Sequence, residues 1–440
     1  MSLHTIKNMI MVLVITTSAL NAQELTLSLK KTISIAKHND LWLVESYYSQ
    51  KSVESLSIAA GSLPDPKVSF TFLNYPTDNF EFGQEPMTQI KVGVSQMFPR
   101  GKTLQLKKQQ LSIKSEIYPF QRLDRSAKVE VMVTQLWLDA YKAQQSVFLI
   151  EQNRSLFEQL AEVAQSNYSS AFGKTQQQDI IRAQLELTRL EDRLTQLQQK
   201  YDTSMQTLSQ WLTDRFTKGY GDLDVVEGIV VTNQLVLDKS MPEIVLKQTV
   251  NLSSDEMTSV LNNHPAVVAI QQKIKASETG IDLANQKYKL AWGVNASYGY
   301  RGDSPMGINR SDFLTLGFSF DVPLFTKNRQ DKQVESAVAI NNATQSQIYQ
   351  TLKKMLASYK SASAQLRQLD NRKDLFANKL LPQMHEQAEA SLTAYTNDNG
   401  DFAEVVRARI AELNAKIDAL SIAVDRLKII AQINYFFAKV

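Results

Sequence analysis

The residues best suited to chemistry in this 440-residue chain are carboxylates in a turn. The segment Tyr395-Thr-Asn-Asp-Asn-Gly-Asp401 sets Asp398 and Asp401 at the tip of a helical hairpin. Repeated around an axis by several copies of the chain, they would form a ring that holds cations and repels anions at a narrow passage. The same Gly, Asn and Asp residues are what a tight turn demands of its backbone, and both readings stand at this point. Arg182 and Arg407, each just past such a turn, could tie neighbouring helices together or stay solvated.

Little else in the chain looks catalytic. There are 0 cysteines, which removes disulfides, thiolate metal sites and thiol nucleophiles together. His38, His264 and His385 are scattered, and no His-Glu-x-x-His, Gly-x-Ser-x-Gly or Gly-x-Gly-x-x-Gly occurs. Gly101-Lys102-Thr103 ends like a phosphate-binding loop, but Gln96 stands where that loop needs its first glycine. Arg301-Gly302-Asp303 matches a cell-adhesion tripeptide, which chance explains well. Neither an enzyme nor a cofactor is expected. With 48 Lys+Arg against 45 Asp+Glu and no basic tail, neither is a nucleic-acid partner.

The elements that must position these residues repeat once, at an offset of about 225 residues. His38-Asn-Asp40 matches Asn263-His-Pro265, and the runs ending Phe98-Pro99 and Val322-Pro323 match each other. Tyr168, Gly173 and Asp179-Ile-Ile-Arg-Ala183 match Tyr395, Gly400 and Glu404-Val-Val-Arg-Ala408. Residues 1–22 read as an export signal: Lys7 supplies the charge, Met9–Ile15 the apolar core and Ala22 the cleavage site. The first repeat is then 23–215, a mixed linker 216–252 and the second repeat 253–440. Each repeat is expected to hold a first helix (25–62 and 253–289), two strands around a loop, and a long helical hairpin.

The long helices carry a heptad seam. Val133, Leu136, Ala140, Ala143, Val147 and Ile150 advance by threes and fours, as do Leu413, Ile417, Leu420, Val424, Leu427 and Ala431. Such a seam predicts coiled-coil packing. Residues 102–170 as one helix would reach roughly 100 Å. Pro119 and Pro382 should break or kink the helices that contain them.

The strands alternate with period two. Leu314, Leu316, Phe318, Phe320 and Val322 alternate with Thr315, Gly317, Ser319 and Asp321, and Val68/Phe70/Phe72, Ile90/Val92/Val94 and Val294/Ala296/Tyr298/Tyr300 behave alike. Alternation alone fits a lipid-facing barrel strand or a half-buried soluble sheet. Four strands cannot close a barrel, since single-chain barrels start at about 8. Three copies could close one and leave no free edge.

These ordered motifs, with Leu380-Leu-Pro382-Gln in the second long helix, resemble the TolC or outer-membrane factor family over essentially the whole mature chain. The resemblance implies a mostly α fold with a β-barrel contribution: long coiled-coil helices in two tandem repeats plus four strands per protomer. A homotrimer would form a twelve-stranded barrel in outer-membrane lipid and an α-helical tunnel through the periplasm. Its implied partners are a periplasmic adaptor (membrane fusion) protein and an inner-membrane pump of RND type, for which it is the passive exit duct. Many relatives carry a lipidated N-terminal Cys, which this chain lacks. Leu63-Pro-Asp-Pro66, Glu85-Pro-Met87 and Ser95-Gln-Met-Phe-Pro99 are most similar to members paired with heavy-metal pumps, which would make metal ions a cargo. Rival readings are the outer component of a type I protein secretion system and a periplasmic coiled-coil scaffold with no pore.

Overall fold

The computed structural model describes residues 25–169, 177–220, 223–230, 235–248, 252–397 and 400–440. The expected export signal, Gly173 and Asp398 therefore lie outside the described residues. The first half runs β1 (Leu25–Leu27), α1 (Leu29–Asn39), α2 (Leu41–Ala60), β2 (Lys67–Leu73), β3 (Gln89–Phe98), α3 (Thr103–Ser115), α4 (Ile117–Ser169) and α5 (Gln177–Leu212). A hairpin of β4 (Asp214–Tyr220) and β5 (Leu223–Val230), then β6 (Leu235–Leu237), leads to the second half. That half comprises α6 (Ser254–Asn262), α7 (Pro265–Asn285), β7 (Ala291–Tyr300), β8 (Phe313–Asp321), α8 (Gln330–Leu375), α9 (Leu381–Thr396) and α10 (Phe402–Tyr435).

The expected first helix of each repeat is in fact two helices. Ser28 caps α1 by accepting from Lys31 N at 3.4 Å, and Asp40 caps α2 by accepting from Trp42 N at 3.1 Å. In the second half Ser253 and Glu256 form a reciprocal capping box on α6, and the His264 ring caps α7 through Ala266 N at 3.2 Å. Each cap takes up backbone N–H groups that have no partner inside the helix. Residues 25–27, expected to be helical, instead form a strand parallel to β6. Leu27 and Leu237 are buried there, and the Leu27 carbonyl accepts from Trp137 Nε1 at 3.0 Å.

The helical run over 102–170 is divided near Pro119, where a break or kink is expected. Pro119 lacks an N–H and its ring clashes with the carbonyl four residues back, so α3 stops at Ser115 and α4 begins at Ile117. Pro382 acts likewise. A π-helical turn at Phe376–Leu380 precedes it, and Pro382 stands in the first turn of α9, where its missing N–H costs nothing.

The heptad seam packs as its spacing demands: Val133, Ala140, Ala143, Ile150, Leu413, Ile417, Val424, Leu427 and Ala431 are buried, while Leu136, Val147 and Leu420 are half-buried. The core also takes in Trp137, Leu138 and Tyr141, which the seam omits. Trp137 is 0% exposed and stacks on Tyr141 at 5.4 Å between ring centres. At the end of α10, Asn434 stitches the linker in place. Its side chain donates to Val245 O at 2.9 Å and accepts from Lys247 N at 2.8 Å.

His264 is fully buried, with Nε2 3.0 Å from Tyr435 O. Burial pushes the imidazole below its ordinary value, and the hydrogen bond to the Tyr435 carbonyl only partly opposes this. A depressed folded-state value means that the ring's contribution is complete above the unfolded value of about 6.5 and is lost as pH falls below it. The unfolding midpoint should therefore drop between pH 7 and 5. His264→Asn, which keeps a capping side chain but cannot titrate, should flatten that slope in denaturant titrations.

Candidate pore and gate

The four long strands form one antiparallel sheet in the order β2-β3-β7-β8, with β3 against β7 joining the two halves of the chain. The register sorts the side chains. One face carries the rows Phe70–Val92–Tyr298–Leu314 and Val68–Val94–Ala296–Leu316. Val294 with Phe318, and Trp292 with Phe320, continue that face. The opposite face carries Ser69–Gly93–Ser297–Thr315, with Ser95, Asn295, Gly317 and Ser319 nearby. The apolar face is open: Phe70 is 75% and Phe318 72% exposed, and Leu314, Leu316, Phe320 and Val322 are exposed as well. On the polar face space is short. A Cβ on Gly93 would stand 2.9 Å from Ser69 Oγ and 3.3 Å from Ser297 Cβ.

At one end of the sheet its two loops lock together. Arg301 donates to Pro86 O at 3.0 Å and Ser311 O at 2.7 Å, with its guanidinium 4.0 Å over the Phe313 ring. Arg310 reaches Gly83 O and Glu85 O, both at 3.1 Å. The Arg301-Gly302-Asp303 tripeptide thus spends its arginine inside the loops.

The hairpin tips lie at the other end of the helices. A second core of Phe157, Leu160, Ala183, Leu190, Phe402, Val405 and Val406 packs α4, α5 and α10 together, with Leu392 and Tyr395 of α9 against it. It brings the last turns of α4 and α9 to the same end as the first turns of α5 and α10. Tyr168 is exposed, Asp179 is buried in the first turn of α5, and Arg182 is exposed. Tyr395 meets Phe402 edge-on at 5.6 Å. Gly400 is required by closeness: a Cβ there would lie 2.6 Å from Tyr395 N. Asp401 caps α10, accepting from Ala403 N at 3.0 Å, with Glu404 in the first turn and Arg407 exposed one turn on. Carboxylates at a helix N-terminus are favoured by its dipole.

An ionic cluster between α9 and α10 escaped the sequence reading. Glu412 is buried and accepts from His385 Nδ1 at 3.0 Å, Arg409 at 3.0 Å and Lys416 at 2.9 Å, and Arg409 also reaches Glu389 at 2.7 Å. The Arg409, Glu412 and Lys416 spacing was a legible helical signal, but the His385 contribution crosses between helices. Burial alone would raise the Glu412 carboxyl; hydrogen bonds from Lys416, His385 and Arg409 outweigh it and hold the group at about 2. Among the described residues no group of three metal-ligating side chains occurs, and no helix is long and apolar enough to cross a membrane.

No family profile matches the chain, and no curated protein matches it by sequence. Solved structures do. CusC, whose structures concern folding and transmembrane channel formation, aligns with TM-score 0.73 and 13% identity over 94% of this chain and 92% of its own. The fold is that of the TolC-family channels. The outer membrane protein VceC of Vibrio cholerae superposes with TM-score 0.70 at 13% identity, covering 93% of this chain and 96% of its own. The CmeC outer membrane channel of Campylobacter jejuni gives TM-score 0.71 at 11% identity, over 96% and 90% of the two chains.

The Glu412 cluster yields a prediction with a defined sign. Because the folded-state value is depressed, its contribution is complete above the unfolded value of about 4.3 and lost as pH falls toward 2. Glu412→Gln should cost about 2–3 kcal/mol at neutral pH and remove that acid-side loss. Denaturant midpoints of both proteins from pH 7 down to 3 measure it.

Proposed function

We propose that the chain is one protomer of a homotrimeric outer-membrane channel, the passive exit duct of a tripartite efflux system. The observation that carries this reading is the open apolar face of a four-stranded sheet whose two edges, among the described residues, are unpaired. Water would not tolerate so large a contiguous patch on a soluble monomer, and free edges invite pairing with further strands. In three copies the apolar face meets lipid, the polar face lines a pore, and the edges pair. The likeness of fold to outer-membrane channels supports the same arrangement, with the helices extending into the periplasm. An adaptor and an RND-type pump would deliver substrate to the tip. Metal ions as cargo rest on the sequence resemblance to the heavy-metal branch alone.

Planar-bilayer recording of purified protein tests the duct directly: steady conductance and a trimeric mass in detergent are expected. A stable monomer in plain buffer, or silent bilayers, would remove the pore and leave a scaffold.

The two sheet faces should respond oppositely to charge. Phe318→Arg should cost about 2–4 kcal/mol if it lies near the bilayer midplane and should block membrane assembly. Ser319→Arg, on the polar face, should assemble and narrow the pore. Heat-modifiable trimer bands in outer-membrane fractions separate the two, and equal behaviour would contradict the assignment of faces.

For the gate, Asp398 and Asp401 are proposed as a carboxylate ring at the tip, with Arg182 and Arg407 beside it. Tyr168, Gly173, Asp179, Tyr395, Gly400 and Glu404 would shape the two turns. Replacing both aspartates with Ala should raise single-channel conductance, lower cation preference and relieve block by divalent ions. Asp214→Ala, at the start of β4, is the control. Unchanged selectivity would reduce the pair to turn formers, a role Asp401 already fills as a helix cap.

A further inference from the structure

The two ends of the sheet differ in charge. The loop end carries Asp78, Glu81, Glu85, Asp303 and Asp312, while its two cations, Arg301 and Arg310, are held by backbone carbonyls. Within eight residues of the helix-end termini of β3, β7 and β8 the chain carries Arg100, Lys102, Lys287, Lys289, Lys327 and Arg329. Arg100 is committed to structure: it donates to Lys287 O and Lys289 O, both at 2.9 Å, and pairs with Asp321. Asp331 accepts from Tyr288 OH at 2.7 Å. The other five cations are exposed, and among the described residues no ion pair engages them.

The internal repeat breaks at this same place. Pro99 is followed by Arg100, which turns in toward Asp321, whereas Pro323 is followed by Leu324 and Phe325, 74% and 90% exposed. The turn that carries Lys327 and Arg329 is ordered, with Arg329 N donating to Thr326 O at 3.0 Å and Asp331 N to the same oxygen at 3.1 Å. Exposed cations in an ordered turn next to two bare apolar side chains, at the end of the apolar sheet face, match a surface that is anionic on top and hydrocarbon beneath.

We propose that this collar binds the phosphodiester headgroups of acidic phospholipids in the periplasm-facing leaflet, with Leu324 and Phe325 seated at the acyl boundary. The proposal rests on the barrel reading given above and adds to it the leaflet and the lipid chemistry. Charge complementarity selects the occupant. A zwitterionic headgroup offers a phosphodiester already balanced by its own ammonium and so brings no net counter-charge to the five cations, and a second copy of the same collar would repel them.

Trp292 supplies the readout, because it lies on the apolar face at the helix end of β7 while Trp42, Trp137 and Trp211 belong to the helices. The full chain is reconstituted in bilayers mixing phosphatidylcholine with phosphatidylglycerol, one of the two brominated in its chains. Brominated phosphatidylglycerol should quench Trp292 more strongly than brominated phosphatidylcholine, and salt should shrink the difference. Lys289→Gln, Lys327→Gln and Arg329→Gln together should abolish the preference, each charge contributing up to about fivefold in selectivity. Equal quenching by both lipids in the unaltered protein overturns the collar and leaves the barrel standing. No quenching by either lipid overturns the barrel reading itself. In Leu324→Ser/Phe325→Ser, weaker quenching with an intact trimer is expected. A dissociated trimer with unchanged lipid preference would mean that a neighbouring copy covers the patch, and would overturn the proposal.

Discussion

The pairing of β3 with β7 is the constraint on which the rest of the structure depends. Side chains alternate with period two, so a one-residue slip would send every apolar residue of one half to the opposite face. The observed register, Ile90 opposite Tyr300 through Phe98 opposite Trp292, aligns the alternation of both halves. It turns two separate hairpins into one sheet with one apolar and one polar surface. Phe98 and Trp292 stack at 4.1 Å where that pairing ends, and the two loops interlock at the other end. Register is thereby held from both sides.

The helices meet the sheet through interruptions. Asp40, Ser253, His264, Pro119 and Pro382 each end or start a helix by what they do to backbone hydrogen bonds. The two halves interrupt a helix at matching positions with different residues: a carboxylate caps α2 and pairs with Arg125, while a buried imidazole caps α7. Trp137 and Asn434 then bind the first strand and the linker to the helical core. Their indole and amide groups carry polar contacts that a heptad count does not weigh.

At the tips the same residue serves fold and proposed gate. Asp401 must present an oxygen to Ala403 N for α10 to begin there, whatever charge it contributes to a ring. The Glu412 cluster pins α9 to α10 on the far side of the π-helical turn. Buried carboxylates held by several cations favour one defined arrangement over slippage when all their partners are in place.

Periodicity and punctuation, which are local properties, were legible in the sequence alone. They showed the tandem repeat, the alternating strands and their closing prolines, the heptad seams and the Gly/Asn/Asp turns. Those features sufficed for the fold class and for the apolar set Leu314 to Val322. Contacts between residues far apart in the chain had to wait for the tertiary structure. Residues 25–27 become a strand only because β6 lies alongside, and Trp137 is core only because Leu27 offers it a carbonyl. His385 meets Glu412 across two helices whose relative rotation no single periodicity specifies. Alternation could not distinguish a half-buried sheet from one with a bare apolar face. That distinction depends on what packs against the sheet, and among the described residues no helix covers Phe70, Leu314 or Phe318.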